Sequence, residues 1–549
     1  MQIVIPMSGF GERFRRAGYT VPKPLIEVDG KPIIAHVLDL FPGEGDVVFI
    51  CNRDHLDSTA MVDVLNHYCP TGKIVAIAPH KLGPVYAVSQ AFEAIDDDRP
   101  TIVNYCDFTC YWDYRHFKQW LQDCGADGCV PAYRGFHPHS LGSTNYAFMR
   151  VQEGWMQEIQ EKKPFTDDKM AEFASSGTYY FAQGRYVKRF FTETMARDLA
   201  VNGEYYCSVV YNLMVEAGLS VAVYELQHFM QWGTPQDLAE YRRWSNAFRA
   251  LATPTIPLPP TAGTTLIPMA GRGSRFQQAG YQTPKPLLPV SGQPMVVQAT
   301  RSLPPTATYH FVVLGDHLDN SDLETALTEP FPGAGFTRLE TVTEGQACTC
   351  LAALDPLPAD QPLTISACDH GVIFAPERFT ALMADPEVDV IVWVSRGHPG
   401  ALSHPHMYGW VQTEGEEVTG VSVKQPLADP ATDPIIIGTF TFKRAEMFRA
   451  AAQRLIERDG RVNGELYVDS CLEDAIALGY RCRVLEVDHY LCWGTPNDLK
   501  TFEYWQSCFH KWDSHPYRWQ EDRWRLEFKE DGTSDRPNFS PLSPGSLKP

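Results

Sequence analysis

Two cationic side chains follow a glycine loop close to the start of the chain. Residues 7–25 read MSGFGERFRRAGYTVPKPL, directly after a short apolar run. Gly9 and Gly11 allow backbone N–H groups to approach an anion closely, and Arg13 adds a planar fork of donors that suits phosphate oxygens. Lys23 lies between two prolines, which restrict the backbone on both sides of it. The stretch predicts a site for a phosphate group.

The same arrangement occurs a second time. Residues 269–287 read MAGRGSRFQQAGYQTPKPL and repeat the two glycines, the arginine and the lysine as Gly271, Gly273, Arg275 and Lys285. The offset of 262 residues persists through much of each copy and becomes 261 in the later part. One residue of slippage over such a distance indicates a duplicated domain rather than a solenoid of small repeats.

One aspartate follows an apolar run at matching positions in both copies. NYCDF (104–108) contains Asp107, and SACDH (366–370) contains Asp369. A single aspartate at a strand end is commonly a cap or a turn residue. Its recurrence at the same offset favours a functional role for both carboxylates.

Alternating elements must position these side chains. The short apolar runs IVIP, DVVFICN, KIVAIAP and TIVNYCD predict buried strands, whereas GPVYAVSQAFEAI and YRHFKQWLQDCG predict helices. Such alternation indicates an α/β fold with a mostly parallel sheet and helices on both faces. Ligands bind outside the carboxyl ends of the strands in sheets of this type.

The length of 549 residues predicts two domains. We expect domain 1 over residues 1–250, a Pro-rich linker over 251–263 and domain 2 over 264–505. Residues 506–549 are predicted to form an aromatic extension followed by a disordered tail.

The composition excludes several classes of partner. A formal net charge of −20 disfavours nucleic acid and anionic lipid surfaces. Because the sequence shows neither a signal peptide nor a long apolar segment, we expect a cytoplasmic protein without a membrane partner. The 14 cysteines are scattered and form no pair of CxxC motifs, so we expect reduced thiols and no zinc site.

The combination G-x-G-x-R-F followed by P-K-P-L resembles the sugar-phosphate nucleotidylyltransferases, over nearly the full length of each copy. The resemblance implies two tandem Rossmann-like nucleotide-diphospho-sugar transferase domains with mixed, mostly parallel sheets. It also implies that Arg13 and Arg275 hold the leaving pyrophosphate, that Lys23 and Lys285 contact the α-phosphate, and that Mg²⁺ is held by Asp107 and Asp369.

Further motifs carry roles by the same resemblance. The nucleotide-binding glycines it implies are Gly9, Gly11, Gly83, Gly271, Gly273 and Gly345. The acceptor-binding residues it implies are Lys162, Gly177, Glu204, Lys424, Gly438 and Glu465. In the first copy Lys163 is an alternative to Lys162, because it directly precedes the proline of the family's Glu-Lys-Pro motif.

Two departures from the family pattern affect these roles. Pro84 and Gln346 replace the threonine of the family's base-binding Gly-Thr-Ala turn, which leaves the base open. Gln231 and Cys492 replace an aspartate that completes the metal site in the family. Mg²⁺ then has either one protein carboxylate or a substitute acid.

The resemblance implies nucleotidyl transfer from an NTP to a phosphorylated sugar, giving an NDP-sugar and pyrophosphate for surface polysaccharide or glycan precursors. The two domains are expected to act on different acceptors, and an oligomer is compatible with the sequence. One alternative is a CTP-dependent cytidylyltransferase acting on a non-sugar phosphate. Another is a regulatory or scaffold protein that only binds nucleotide. A glycosyltransferase is less favoured because neither copy has Asp-x-Asp at the strand end.

Overall fold

The computed structural model describes residues 1–142, 145–255 and 258–521. Within this part, the chain forms two compact units. Unit 1 comprises Met1–Asn246 together with Ser507–His515. Unit 2 comprises Ala247–Gln506 together with residues 516–521.

Unit 1 is built from fourteen strands and nine helices in its described part, the last helix continuing past Asn246. The strands are β1 (Gln2–Met7), β2 (Glu27–Val28), β3 (Lys31–Pro32), β4 (Val47–Asn52), β5 (Lys73–Ile77), β6 (Thr101–Asn104), β7 (Phe108–Tyr111), β8 (Gly128–Tyr133), β9 (Ala147–Gln152), β10 (Trp155–Glu161), β11 (Phe173–Ser175), β12 (Thr178–Phe181), β13 (Val221–Glu225) and β14 (His228–Gln231). The helices are α1 (Glu12–Arg16), α2 (Ile33–Leu38), α3 (Arg53–Ser58), α4 (Met61–Tyr68), α5 (Pro84–Ser89), α6 (Tyr114–Cys124), α7 (Gly184–Ala196), α8 (Cys207–Glu216) and α9 (Pro235–Ala252).

Unit 2 repeats this plan. Its strands are β15 (Thr261–Pro268), β16 (Pro289–Val290), β17 (Gln293–Pro294), β18 (Thr306–Leu314), β19 (Gly335–Leu339), β20 (Leu363–Ser366), β21 (His370–Ile373), β22 (Val390–Ser395), β23 (Gly409–Glu414), β24 (Glu417–Val423), β25 (Ile435–Phe442), β26 (Cys482–Glu486) and β27 (His489–Cys492). Its helices are α10 (Ser274–Gln278), α11 (Met295–Arg301), α12 (Gly315–Asp319), α13 (Leu323–Thr328), α14 (Gln346–Leu351), α15 (Pro376–Ala384), α16 (Pro399–Ser403), α17 (Ala445–Glu457), α18 (Cys471–Ala477) and α19 (Pro496–Lys511).

The main sheet of unit 1 has the strand order β11-β9-β10-β13-β8-β12-β6-β1-β4-β5. Strand β1 pairs in parallel with both β4 and β6, and β4 pairs in parallel with β5. In unit 2 the order is β19-β18-β15-β20-β25-β22-β26-β24-β23, with β15 in parallel between β18 and β20. The glycine loops follow β1 and β15, so they lie at the carboxyl ends of parallel strands.

The predicted α/β fold with mixed sheets is confirmed, and the predicted strands and helices of the first copy are present. Parallel pairing, however, prevails in only one half of each sheet. The other half is largely antiparallel, with hairpins such as β9–β10 and β23–β24. The prediction of mostly parallel pairing was too broad because it rested on the βαβ half, whereas a tight turn such as Glu153-Gly154 brings neighbouring strands together antiparallel.

Regular secondary structure extends into the predicted linker at both of its ends. Helix α9 continues to Ala252 because Leu251 is fully buried, and β15 begins at Thr261, which pairs with Thr306. The Pro-rich stretch between these elements is therefore 253–260, shorter than the predicted 251–263, and residues 256–257 within it lie outside the described part. The predicted domain limits otherwise stay a prediction.

A segment from the far end of the chain packs within unit 1. Trp512 contacts His36 and stacks on Trp232, with ring centroids 5.6 and 6.3 Å apart. Ser507 Oγ lies 3.0 Å from His228 Nε2, and the side chains of Ser245 and His515 meet at 3.2 Å. We call Ser507–His515 the C-terminal strap. The predicted disordered tail, like Trp524, lies outside the described residues.

Within the described residues, no helix combines the length and the apolar character needed to cross a bilayer.

Candidate nucleotide and acceptor site

A cleft of about 630 Å³ opens at the carboxyl ends of the parallel strands of unit 1. This volume is ample for a nucleotide-sized ligand. Every residue of the first copy that the sequence marks as a site residue lines it. They are Gly9, Gly11, Arg13, Lys23, Gly83, Asp107, Lys162, Gly177 and Glu204.

The glycine loop turns through a left-handed residue. Gly11 has φ 60° and caps the start of α1, and Gly273 has φ 62° at the start of α10. A side chain is disfavoured in this conformation, which explains glycine at both positions. The turn places Arg13 on the first helix after the loop, where it is exposed to the cleft.

The lysine and aspartate that recur in each copy are in direct contact. Lys23 Nζ donates to Asp107 Oδ2 at 2.8 Å, and Lys285 Nζ donates to Asp369 Oδ2 at 2.5 Å. Burial is the largest single effect and would lower the pKa of Lys23, but the charge and hydrogen bond of Asp107, together with Cys106, outweigh it and raise that pKa. The pKa of Lys285 is raised in the same way by Asp369. Both lysines are therefore ammonium ions at neutral pH.

The carboxylate of Asp369 is held in its charged form. Burial acts to raise its pKa, but the charge of Lys285 and the hydrogen bond from Lys285 Nζ, with His370 Nδ1 4.0 Å from Oδ1, together lower it well below its usual range. A partly buried carboxylate that stays ionised beside an ammonium group is suited to a cation or a phosphate-bound metal.

The Trp-Gly-Thr turn of each unit donates a backbone hydrogen bond to the aspartate. Trp232 N donates to the carbonyl of Asp107 at 2.8 Å, and Trp493 N donates to that of Asp369 at 2.8 Å. Gln231 pairs with Phe108 across β14 and β7, so it lies beside Asp107 as the resemblance implied.

Asp237 is committed to a different role from metal binding. Thr234 donates to its Oδ2 through both backbone N and Oγ1, at 3.0 and 2.6 Å, and Asp237 N donates back to Thr234 Oγ1. This reciprocal pattern is a capping box at the start of α9. Gln231 Nε2 donates to Asp237 Oδ1 at 2.5 Å and completes the arrangement.

Unit 2 keeps the same cap with different chemistry. Thr495 donates to Asp498 Oδ2 through backbone N and Oγ1, at 3.0 and 2.7 Å, and Cys492 Sγ lies 3.7 Å from the same oxygen. The residues that replace the family's second metal aspartate therefore contact the capping carboxylates.

The donor set fits a metal that completes its shell with substrate. Among the described residues, no group of three or more His, Cys, Asp or Glu side chains could hold a metal by itself. Mg²⁺ is commonly bound by one or two carboxylates, with water and substrate phosphates supplying the other oxygens. Asp107 and Asp369 each provide one such carboxylate.

The predicted acceptor end of the cleft contains a lysine in a strained backbone conformation. Lys162 has φ 60° and Lys424 has φ 61°, a left-handed conformation that costs a non-glycine residue of order 1 kcal/mol or more. Lys162 Nζ donates to Tyr206 Oη at 2.6 Å, and Tyr206 Oη donates to Glu204 Oε2 at 2.6 Å. Lys163 is exposed and is absent from the cleft lining, so the structure favours Lys162.

The counterpart lysine in unit 2 is held differently. Lys424 Nζ donates to the carbonyl of Met407 and lies 5.3 Å from the ring centroid of Tyr467. Burial lowers the pKa of Lys424, whereas the charge of Asp469 opposes that effect. Arg275 and Glu465 are close enough to influence the same pKa, so these three predicted residues of the second copy also lie near one another.

Gly83 and Gly345 lie where two backbones approach closely. A Cβ on Gly83 would lie 2.7 Å from Tyr205 N and 2.8 Å from Tyr205 O, and a Cβ on Gly345 would overlap Leu466. Tyr205 and Leu466 follow Glu204 and Glu465 directly. The predicted nucleotide turn and the predicted acceptor loop are therefore in backbone contact in both copies.

The surroundings of the predicted acceptor-binding glycine differ between the copies. A Cβ on Gly177 would lie 3.1 Å from both Phe108 and Tyr105, whereas one on Gly438 would be 3.7 Å from Ala367 and 3.9 Å from His370. The surroundings of Gly438 are consequently roomier, and His370 adds a polar ring hydrogen-bonded to Thr439 at 3.0 Å.

Sequence reasoning missed several cleft residues, including two that lie next to predicted ones. Glu161 and Tyr206 line the cleft beside Lys162 and Glu204. Both belong to motifs that the sequence already marks, QEKKPF and NGEYY, so their adjacency to the predicted residues was the available signal.

Two long segments of the chain match a known protein family. A family model described as the MobA-like NTP transferase domain matches residues 3–165 and again residues 265–461, more than half of the chain. The chain belongs to this family. Its two NTP transferase domains confirm the predicted duplication and the predicted class, nucleotidyltransferases, whose members generally use divalent metal ions.

Individual relatives match less than half of the chain. The bifunctional protein GlmU of Kineococcus radiotolerans is 30% identical over 242 residues, which cover 42% of this chain and 45% of that protein. GlmU of Paraburkholderia xenovorans is 27% identical over 257 residues, covering 44% of this chain and 51% of that protein. The chain thus spans about half the length of the curated relatives it matches.

Solved structures that resemble the chain also cover less than half of it. A nucleoside-diphosphate-sugar pyrophosphorylase from Vibrio cholerae is 21% identical with a TM-score of 0.37, covering 44% of this chain and all of that chain. An inositol-1-phosphate CTP transferase from T. maritima is 15% identical with a TM-score of 0.36, covering 45% of this chain and 95% of that chain.

Proposed function

We propose that the chain transfers a nucleotidyl group from an NTP to a phosphorylated sugar in a Mg²⁺-dependent reaction, releasing pyrophosphate. The observation that carries the proposal is the distribution of charge in the cleft of unit 1. Arg13, Lys23 and Asp107 lie at the end near the glycine loop, and Lys162 lies with Glu204 at the other. Two phosphate-binding ends in one cleft suit two phosphorylated substrates.

The chemistry requires positioning and charge neutralisation. An oxygen of the acceptor phosphate attacks the α-phosphorus of the NTP, and the bond from that phosphorus to the bridging oxygen breaks as pyrophosphate leaves. The acceptor phosphate is already ionised at neutral pH, so no general base is needed. Lys23 offsets the charge at the α-phosphate and Arg13 offsets the charge on the leaving pyrophosphate.

The acceptor is oriented by the other end of the cleft. The Lys162 ammonium pairs with the acceptor phosphate, and Glu204 accepts hydrogen bonds from hydroxyl groups. Asp107 would hold Mg²⁺, whose charge stabilises the phosphate oxygens when it is bound. The second site uses Arg275, Lys285, Asp369, Lys424 and Glu465 in the same roles.

The relatives support a sugar phosphate as the acceptor, since their names describe GlmU proteins and nucleotide-sugar pyrophosphorylases. Such a product would serve as a precursor of surface polysaccharide or other glycans. The test incubates the full-length protein with each NTP, Mg²⁺ and a panel of phosphorylated sugars and alcohols. Pyrophosphate release that requires both substrates supports the proposal. Release of a nucleoside diphosphate from a nucleotide-sugar would contradict it.

We further propose that the two sites accept different phosphorylated compounds. The triphosphate residues agree between the copies, whereas the surroundings of the predicted acceptor-binding glycine differ, with Tyr105 and Phe108 against Ala367 and His370. Lys23→Ala should remove one activity and Lys285→Ala the other. Loss of all turnover in either single variant would contradict separate acceptors.

A further inference from the structure

Three side chains meet beside the acceptor lysine of unit 1. Glu161 precedes Lys162 at the end of β10 and pairs with Ala147 on the neighbouring strand β9. Ser208, in the first turn of α8, donates from Oγ to Glu161 Oε2 at 2.5 Å. Positions 147, 161 and 208 thus form one cluster, with a carboxylate supplied by the strand. We call it the acceptor-side cluster.

The matching cluster of unit 2 supplies its carboxylate from the opposite element. Glu161 and Ala147 correspond to Val423 and Gly409, which pair with each other across β24 and β23. Ser208 corresponds to Asp469, which precedes α18. The Asp469 carboxylate occupies the space that a Cβ on Gly409 would fill. Each cluster therefore keeps one carboxylate, although its source has moved from position 161 to position 469.

The three exchanges depend on one another. With alanine at 409, the Asp469 carboxylate would overlap a methyl group, so glycine there accommodates the acid. Glutamate at 423 would bring a second carboxylate to the same point, and two like charges at a partly buried position repel strongly. Valine at 423 avoids that repulsion.

Burying the carboxylate that each cluster retains reduces the free energy of unfolding, which argues against a purely structural role. Burial raises the pKa of Glu161, opposed by the hydrogen bond from Ser208 and the charge of Lys162. Burial likewise raises the pKa of Asp469 to about 6, opposed by Lys424. Ionisable groups kept in such surroundings next to a cleft are commonly functional.

We propose that Asp469 is an acceptor-specificity residue of unit 2, hydrogen-bonding a hydroxyl or amino group of the acceptor whose phosphate pairs with Lys424. It takes over the position that Glu161 holds in unit 1, but reaches it from the α18 side. The two sites consequently select acceptors whose donor groups point in different directions from the phosphate. This inference rests on the proposed function.

The first experiment isolates unit 2 by using full-length protein with Lys23→Ala. Asp469→Asn should raise the KM for the preferred phosphorylated acceptor of this unit at least about tenfold, and should leave NTP binding, measured by calorimetry without acceptor, within about twofold. Asp459→Asn is the matched control, because Asp459 is exposed and pairs with Arg461. An acceptor KM unchanged within about twofold, or an equal loss of NTP affinity, would overturn the inference.

The second experiment moves the carboxylate in unit 1, in full-length protein with Lys285→Ala. The triple variant Ala147→Gly, Glu161→Val and Ser208→Asp should shift the acceptor preference of unit 1 toward that of unit 2, and an unchanged ranking of acceptors would contradict the proposal. Calorimetric binding of the same acceptors to Lys23→Ala protein, with and without Asp469→Asn, tests Asp469 without turnover. Absence of pyrophosphate release with every acceptor would refute the proposed function, and the binding result would still decide the role of Asp469.

Discussion

The pairing of Lys23 with Asp107, repeated as Lys285 with Asp369, gives each site a charged centre, although no group of the described side chains could hold a metal by itself. We predict that Asp107→Asn and Asp369→Asn each lower the Mg²⁺-dependent rate of their own site at least about a hundredfold. Loss of a charged group at the reacting phosphate should raise the barrier by several kcal/mol. The measurement is pyrophosphate release in backgrounds with the other site silenced. Wild-type rates in the double variant would show that the metal binds elsewhere.

Two adjacent lysines provide a test with its own control. Lys162→Ala should raise the acceptor KM of unit 1 at least about tenfold, because this side chain lines the cleft and contacts Tyr206. Lys163→Ala should have little effect, since Lys163 is exposed and does not line the cleft. Steady-state kinetics of both variants in the Lys285→Ala background checks the difference. Equal effects would contradict the assignment of Lys162.

Asp469 predicts a dependence of stability on pH. Its pKa is raised to about 6, mainly by burial, so wild-type protein loses stability as pH rises from about 4 through 6. Asp469→Asn removes this loss, so the Tm difference between the variant and wild type should become more favourable to the variant from pH 5 to pH 7.5. Lys424, Tyr467 and Cys471 face the same carboxylate and are unchanged in the comparison. A Tm difference independent of pH would contradict the shift.

At the scale of elements, the predicted nucleotide turn at Gly83 and the predicted acceptor loop at Tyr205 are in close backbone contact. Gly83→Ala should destabilise unit 1 by about 1–3 kcal/mol and weaken the use of both substrates, because the new Cβ would collide with Tyr205. Gly43→Ala is the control. Gly43 has the same φ of 85° but no neighbouring atom within 4 Å of a Cβ. Thermal unfolding and both KM values separate the cost of the collision from that of the backbone conformation.

The strands whose sequences form continuous apolar runs were predictable from the sequence. The buried strands β1, β4 and β6 read as apolar runs, and their ends carry the glycine loop and Asp107. The antiparallel half was less visible, because a strand such as β10 is only partly buried and mixes polar with apolar residues. The role of Asp237 as a cap was also readable in principle from Thr234-Pro-Gln-Asp237. The relocated carboxylate at Asp469 was not, since it depends on contacts between residues far apart in sequence.

At the scale of the whole molecule, the C-terminal strap makes unit 1 depend on residues beyond position 500. A chain that ends at residue 506 should lose the activity of unit 1, because Trp232, His36 and His228 lose their contacts with the C-terminal strap. A chain that ends at residue 521 keeps the strap and is the control. Activity measured in the Lys285→Ala background reports unit 1 alone.

Trp512→Ala tests the strap in the full-length chain. This substitution should destabilise unit 1 by about 2–3 kcal/mol, since Trp512 is half-buried and stacks on Trp232. Trp505→Ala, which alters unit 2 instead, is the matched control. Retention of copy 1 activity and stability in both the shortened chain and Trp512→Ala would show that the strap is dispensable.

The strap also has a consequence for synthesis on the ribosome. Residues up to Asn246 emerge first, yet the segment that covers Trp232 ends at His515 and is made about 270 residues later. At roughly 5–20 residues per second, the interval is on the order of tens of seconds. During that time Trp232 of the nascent first domain lacks the Trp512 ring that stacks on it in the folded protein. Folding of the first domain to its final state therefore follows translation of the strap.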